Sequence, residues 1–272
     1  MKKFRKIIVR GKLPKHLRGI YWSLALGIDD MDSEKLHFSS LLQESVPTKD
    51  IKQIDKDVAR TMRTHKMFSI RFGDGQRKLF QILRAYAAYD IEVGYVQSMS
   101  TIAAMLLFFI EEEEKSFLAL VSLFQTRGLR WLLIRDLEGL RETAFSIFTK
   151  LNKHFFPELA DHFEEIGLHP SLFLTNWFLE IFFGYVPFGV LLQVWDLFIL
   201  DGYSFLYSLV LSVLSFNYDE ILALPDPESF NDLKHNPFQA VNPRQILNIA
   251  TTKYKLSFQK IHKITGMYPH PL

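Results

Sequence analysis

Residues 79–86 of the chain read LFQILRAY, and this stretch decides the fold class. Leu79, Ile82, Leu83 and Tyr86 stand at positions i, i+3, i+4 and i+7, which line one face of an α-helix. Four-residue and three-residue steps recur further along, at Ile102, Met105, Leu106 and Phe109, at Phe173, Trp177 and Ile181, and at Leu206, Val210 and Leu214. Sustained alternation of apolar and polar residues is not evident. The sequence therefore predicts an all-α fold.

The composition limits the classes of function. A chain of 272 residues with 48% hydrophobic residues is long enough for one large domain or two closely packed halves. Its 32 basic and 30 acidic residues leave a formal net charge of +2, which argues against nucleic acid as the partner. Without cysteine there is no disulfide or thiolate metal site, and no histidines are spaced as metal ligands, which suits a cytoplasmic protein.

Two uncharged stretches, residues 181–195 and 203–218, are the candidates for a membrane span. Both are shorter than the ~20 residues that a helical span needs, and Asp196, Asp201 and Asp219 interrupt the region. Serines recur through the second stretch, as in a close-packed buried helix. The first residues contain Arg5 and Lys6 and do not form a signal peptide. We therefore expect core helices and no transmembrane segment.

Two short motifs carry the candidate chemistry. The first has Asp57, Arg60 and Thr61 in the pattern I-x-x-D-x-x-R-T from Ile54, and the second is Tyr95-x-Gln97. Arginine is permanently charged and forked, so it can neutralise charge on a transferring phosphoryl group. A glutamine amide both donates and accepts, so it can orient a water molecule. Taken singly, Arg60 would be a solvated helical residue paired with Asp57, and Gln97 a solvated polar residue in the first turn of a helix.

Together the two motifs resemble the arginine and glutamine fingers of TBC-domain Rab GTPase-activating proteins. The resemblance covers nearly the whole chain, from about Gly11 to about Ile261. Its three other motifs are an opening motif of GKLP at residues 11–14 with Arg18 and Trp22, the stretch ILRAY at residues 82–86 before Gly94, and a second-half motif of Trp177 and Trp195-Asp196 with Gly202. Five motifs in the family's order make chance agreement improbable.

The resemblance implies a single TBC domain over residues 1–272, with two α-helical lobes in a V. The lobes would cover approximately residues 1–135, with both fingers, and 136–272, joined near 128–138. Arg60 and Gln97 would be the catalytic residues, supplied in trans. Asp57, Thr61, Tyr95 and Ser98 would support them. The residues expected to be structural are Arg18, Trp22, Trp177, Trp195 and Asp196, with Asp196 tying a helix end next to Gly202.

The implied partner is a Rab-family small GTPase in its GTP-bound state. GTP and Mg²⁺ would belong to that partner, so no cofactor or metal of the chain's own is expected. A role in vesicle trafficking follows from the resemblance, with a cytoplasmic protein that reaches endomembranes only through its partner.

Ser98 departs from the family pattern, which runs Tyr-x-Gln-Gly. Glycine there allows close approach of the backbone, and serine adds a side chain. Two alternatives stay open: an active GTPase-activating protein that tolerates a small hydroxyl, which we favour, or a non-catalytic Rab-binding or scaffolding module. A helical adaptor unrelated to GTPases would leave the ordered motifs unexplained.

Overall fold

The computed structural model describes residues 2–31, 36–238 and 242–269. These residues form α-helices with short 3₁₀ turns and one π-helical turn, and no β-strand occurs among them, which confirms the all-α prediction. The chain divides into two compact units. The first unit is Pro14–Asp136; the second combines Met1–Leu13 with Leu137–Leu272. The first thirteen residues thus belong with the C-terminal part of the chain, whereas the predicted first lobe began at residue 1.

The helices of the first unit are α2 (Arg18–Leu26), α3 (Phe38–Leu41), α4 (Thr48–Arg60), α5 (Asp74–Tyr89), α6 (Ser98–Ile110), α7 (Glu113–Thr126) and most of α8 (Leu129–Glu138). Its core forms around α6, which packs on α2, α5 and α7. The apolar face predicted for α5 is completely buried at Leu79, Ile82, Leu83 and Tyr86. Burial of these side chains stabilises the unit by roughly 1.5–3 kcal/mol per residue.

Helix α4 is amphipathic, and of the residues that define the first motif only Arg60 is exposed, while Ile54, Asp57 and Thr61 are buried. Ile54 and Val58 are buried one turn apart, while Lys52 and Lys56 are exposed on the opposite side. The helix ends at Arg60, and Thr61 leaves it with an extended backbone.

A glycine allows α2 and α6 to approach closely. A Cβ atom at Gly19 would lie 2.1 Å from the carbonyl oxygen of Phe109, a distance that real Cβ atoms do not adopt. On the same helix Arg18 lies over the Phe109 ring at 5.8 Å, and Trp22 meets it edge-on at 4.8 Å. The Arg18 and Trp22 motif therefore packs α2 against the end of α6.

The helices of the second unit are α1 (Lys2–Val9), α9 (Phe145–Phe155), α10 (Pro157–Glu165), α11 (Leu174–Leu179), α12 (Phe188–Asp201), α13 (Tyr203–Phe216), α14 (Tyr218–Leu222), α15 (Asn231–His235), α16 (Pro243–Thr251) and α17 (Phe258–Thr265). Helix α13 is buried from Tyr203 to Leu214 and packs most extensively on α16. Ser208 and Ser212 donate their hydroxyls to carbonyls four residues earlier, at 2.7 Å each, so the buried hydroxyls are paired.

Among the described residues, no single helix is both long and apolar enough to cross a membrane. The bent pair Glu113–Thr126 and Leu129–Phe155 satisfies the length and composition criteria only when its two parts, which meet at 69°, are taken together.

Candidate functional site

Arg60 is the last residue of α4, and its guanidinium projects into solvent. The side chain is 58% exposed, yet one nitrogen, Nη2, lies 2.7 Å from Oδ1 of Asp57. The spacing of three residues places the two side chains one helical turn apart. The ion pair therefore holds the guanidinium at one end and leaves the rest of the fork open to a partner.

Asp57 holds Arg60 because its own carboxylate is fixed from several directions. Its side chain is only 1% exposed. Gln53 donates its Nε2 to both carboxylate oxygens at 3.1 Å, and the Tyr95 hydroxyl donates to Oδ2 at 2.8 Å. A buried carboxylate is stable only when it is paired and hydrogen-bonded in this way. Tyr95 thus connects the two sequence motifs directly.

Tyr95 keeps its proton over the physiological range. Burial, with the hydrogen bond to Asp57 as the next cause, raises the pKa of the Tyr95 phenol above its ordinary value of 10.0. The phenol therefore remains a donor to the carboxylate.

Gln97 is the N-cap residue of α6, and its side chain is exposed. In the described part of the chain its side-chain amide makes no hydrogen bond, so both its oxygen and its nitrogen can engage a partner. Its backbone oxygen, in contrast, is engaged: the Ser100 hydroxyl donates to it at 3.0 Å.

A second connection joins the motifs behind the exposed side chains. Thr61, the C-cap residue of α4, has its hydroxyl 2.7 Å from the carbonyl oxygen of Asp57 and 3.0 Å from the Ser100 hydroxyl. We refer to Asp57, Thr61, Tyr95 and Ser100 as the polar layer. Asp57, Thr61 and Ser100 are buried, while Arg60 and Gln97 project from the layer into solvent.

The loop between α5 and α6 is anchored at Asp90. Its buried carboxylate accepts hydrogen bonds from Arg130 Nε at 2.6 Å and Nη2 at 3.0 Å, and from the Tyr86 hydroxyl at 3.2 Å. Gly94 then takes a φ of +60°, and its N–H donates to the Asp90 carbonyl at 2.7 Å. The left-handed turn favours glycine and directs the chain into the Tyr95-x-Gln97 motif.

Ser98 is directed inward. The residue is 8% exposed, and its hydroxyl finds no hydrogen-bond partner among the described residues. The serine that replaces the motif glycine therefore adds almost nothing to the surface beside Gln97.

The predicted structural residues of the second half lie in the other unit. Trp177 is fully buried, donates its indole N–H to the Lys234 carbonyl at 3.0 Å and stacks on Phe182. Trp195 and Asp196 are buried within α12. Helix α12 ends at Asp201 with Gly202 as its C-cap residue, and the role of Asp196 in tying a helix end next to Gly202 stays a prediction.

The last residue of α12 is Asp201, which the sequence analysis considered only as a charge that interrupts an uncharged region. Its carboxylate binds the Arg5 guanidinium through two contacts of 2.5 and 2.6 Å. This ion pair attaches the N-terminal helix α1 to α12.

Sequence reasoning missed Gln53, Ser100, Asp90 and Arg130. Gln53 could have been found, because it stands four residues before Asp57 on the same helix face. Ser100 follows Gln97 by three residues and shares its helical turn. Asp90 and Arg130 are 40 residues apart, and nothing local in the sequence pairs them. Among the described residues, no three histidine, aspartate or glutamate side chains converge as a metal site would require.

Comparison with known proteins identifies the family of the chain. A sequence model of the Rab-GTPase-TBC domain matches residues 15–222. The chain is 31% identical over 273 residues to the human ecotropic viral integration site 5 protein homolog, covering 98% of this chain and 32% of that protein. It is 32% identical over 257 residues to the Caenorhabditis elegans Rab GTPase-activating protein tbc-11, covering 92% of this chain and 26% of that protein.

The fold is also found in solved structures. The crystal structure of the Chlamydomonas flagellar RabGAP TBC domain superposes with a TM-score of 0.75 at 23% identity, covering 93% of this chain and 84% of that one. The chain belongs to the Rab-GTPase-TBC domain family, and the predicted TBC fold is confirmed. It spans about a third or less of the two curated relatives described above.

Proposed function

We propose that this TBC domain stimulates GTP hydrolysis by a Rab-type small GTPase, with Arg60 and Gln97 acting in trans. One observation carries the proposal: two exposed side chains of the required chemistry project from a single buried polar layer. Arg60 is held through Asp57, and the side-chain amide of Gln97 is unengaged in the described part of the chain.

The chemistry of the two side chains gives each a separate role. The Arg60 fork would neutralise charge that develops on the transferring phosphoryl group, which is worth on the order of 10³–10⁵ in rate for arginine fingers. Gln97 would orient the attacking water or its surroundings, in place of the GTPase's own glutamine. The partner would bring GTP and Mg²⁺, and it would bring the domain to a membrane.

The inward direction of Ser98 favours this activity over a non-catalytic Rab-binding module. A side chain that is buried in the domain does not add bulk to the surface next to Gln97. The ion pair and the hydrogen bonds around Asp57 are formed with serine in place.

The first prediction concerns Arg60. In a panel of GTP-loaded Rab proteins, phosphate release should rise with the wild-type domain, and both Arg60→Ala and Arg60→Lys should abolish the stimulation. Lysine keeps the charge but loses the planar fork, so it should restore little.

Arg77→Ala is the matched control, because Arg77 is also exposed and lies 2.7 Å from an aspartate three residues earlier, Asp74. It should remain fully active. Wild-type rates in Arg60→Lys would refute the finger assignment.

Gln97→Ala should lower the maximal rate far more than the affinity for the GTPase.

A further inference from the structure

The two fingers are connected twice through the polar layer. The first connection, from Asp57 to Tyr95, acts on Arg60, whose guanidinium binds the same carboxylate. The second connection, from Thr61 to Ser100, runs to the backbone of Gln97. Side chains from both segments, residues 57–61 and residues 95–100, therefore take part in holding each finger.

The hydroxyls of Thr61 and Ser100 can form a chain of two successive hydrogen bonds that run in one direction. A threonine hydroxyl has one proton to donate, and Thr61 has two acceptors within reach. The Asp57 carbonyl also accepts the Thr61 backbone N–H at 2.9 Å, so it stays paired when the hydroxyl turns to Ser100. Ser100 in turn donates to the Gln97 carbonyl at 3.0 Å. The hydrogen bonds then run from the end of α4 to the backbone carbonyl of Gln97.

Burial strengthens this chain of hydrogen bonds. Thr61 is 7% exposed and Ser100 is 3% exposed, so water competes little for their hydrogen bonds. Removing the Thr61 hydroxyl breaks the hydrogen bond to Ser100, and removing the Ser100 hydroxyl breaks both hydrogen bonds, so the end of α4 and the first turn of α6 are held together less tightly.

We propose that Thr61 and Ser100 are positioning residues that fix the separation of Arg60 and Gln97, so that the two fingers act as one unit. The catalytic part of this inference rests on the proposed function; the structural part, that Thr61 restrains the first turn of α6, does not.

The kinetic test uses substitutions that remove only a hydroxyl. Thr61→Val and Ser100→Ala should each lower the maximal stimulated rate by about ten- to hundredfold, the cost of a small misplacement of catalytic groups. The GTPase concentration for half-maximal rate should change little. Thr61→Ser, which keeps the hydroxyl, should restore the rate.

Ser122→Ala is the matched control, because Ser122 is a buried serine of the same unit that donates to the Leu26 carbonyl, outside the polar layer. It should lower the melting temperature without lowering the maximal rate. An unchanged maximal rate in Thr61→Val or Ser100→Ala would overturn the proposal.

The double variant distinguishes coupling from two independent losses. If the hydroxyls form one chain, Thr61→Val with Ser100→Ala should lose no more than about the worse single variant. A loss equal to the product of the two single losses would overturn the proposal.

Hydrogen exchange tests the connection without any GTPase. Thr61→Val should accelerate exchange at the Met99 and Ser100 amides, although the substitution lies on another helix, whereas Ser122→Ala should leave them unchanged. Unaltered exchange at these amides would overturn the connection. A wild-type domain that stimulates no Rab would refute the proposed function instead, and the exchange result would still decide whether the connection exists.

Discussion

Asp57 shows how burial distinguishes a firmly oriented ion pair from an ordinary surface pair. Arg77 and Asp74 have the same spacing and the same 2.7 Å contact as Arg60 and Asp57. The Asp74 side chain is 64% exposed, however, and it also binds Lys78. Exposed pairs of this kind contribute about 0–1 kcal/mol. The Asp57 carboxylate is instead surrounded by donors, so its direction, and with it that of Arg60, is fixed.

We predict that removal of the Ser98 hydroxyl lowers neither the free energy of unfolding nor the stimulated hydrolysis. Ser98→Ala should raise the free energy of unfolding by about 1 kcal/mol, because it removes a buried polar group without a partner among the described residues. Ser98→Gly should gain less, since glycine costs about 0.5–1 kcal/mol within a helix. Denaturant unfolding measures the order. Both variants should hold or raise stimulated hydrolysis, and a tenfold loss in either would show that the hydroxyl has a role of its own.

Tyr95 gives a prediction about alkaline pH. Its pKa is raised in the folded protein above the ordinary 10.0, so the unfolded chain releases the phenolic proton first. The contribution of Tyr95 to stability is therefore fully present below pH 10 and is lost as the pH rises towards the folded pKa. Above pH 10, unfolding free energy should fall less steeply with pH in Tyr95→Phe than in the wild type, by about 1.4 kcal/mol per pH unit. Identical slopes in Tyr95→Phe and the wild type would mean that folding does not raise the pKa of the Tyr95 phenol.

At the scale of the element, the approach of α2 to α6 depends on one missing side chain. Gly19→Ala should lower the free energy of unfolding by about 1–3 kcal/mol, because the new Cβ would meet the Phe109 carbonyl and force the helices apart. Gly189→Ala in α12 is the control, since a Cβ there meets nothing within 4 Å. It should be neutral or stabilising by about 0.5–1 kcal/mol. Equal effects at the two positions would contradict the close approach.

The helices could be predicted from the sequence, but the side-chain contacts between them could not. The buried faces of α5 and α6 follow from residue spacing, because local periodicity determines which side of a helix is apolar. The pairing of Asp57 with Tyr95 joins residues 38 positions apart. It depends on how α4 meets the loop before α6, which tertiary packing decides.

For the whole molecule, charge is nearly balanced but unevenly placed. Lys49, Lys52 and Lys56 are exposed at helical spacing on α4, in line with Arg60, and no carboxylate of a described residue pairs with these three lysines. We expect this basic stripe to attract an acidic surface of the GTPase.

Charge reversal tests the stripe. The double change Lys52→Glu and Lys56→Glu should lower kcat/KM at low salt by about tenfold or more and flatten its dependence on ionic strength. The same change of charge at Lys255 and Lys263, which are exposed in the second unit, serves as the control and should have little effect. Equal losses in the two double variants would indicate an effect of net charge alone.

The pairing of Arg60 with Asp57 also has a consequence for the entropy of association. A free arginine side chain carries about 2 kcal/mol of rotamer entropy, which a partner must ordinarily restrict when it docks. Here the restriction has already occurred during folding, because the guanidinium is held on one side before any GTPase arrives. If Arg60 acts as the proposed finger, a larger part of its interaction with the phosphate is left to lower the barrier of hydrolysis, and less is consumed in ordering the side chain.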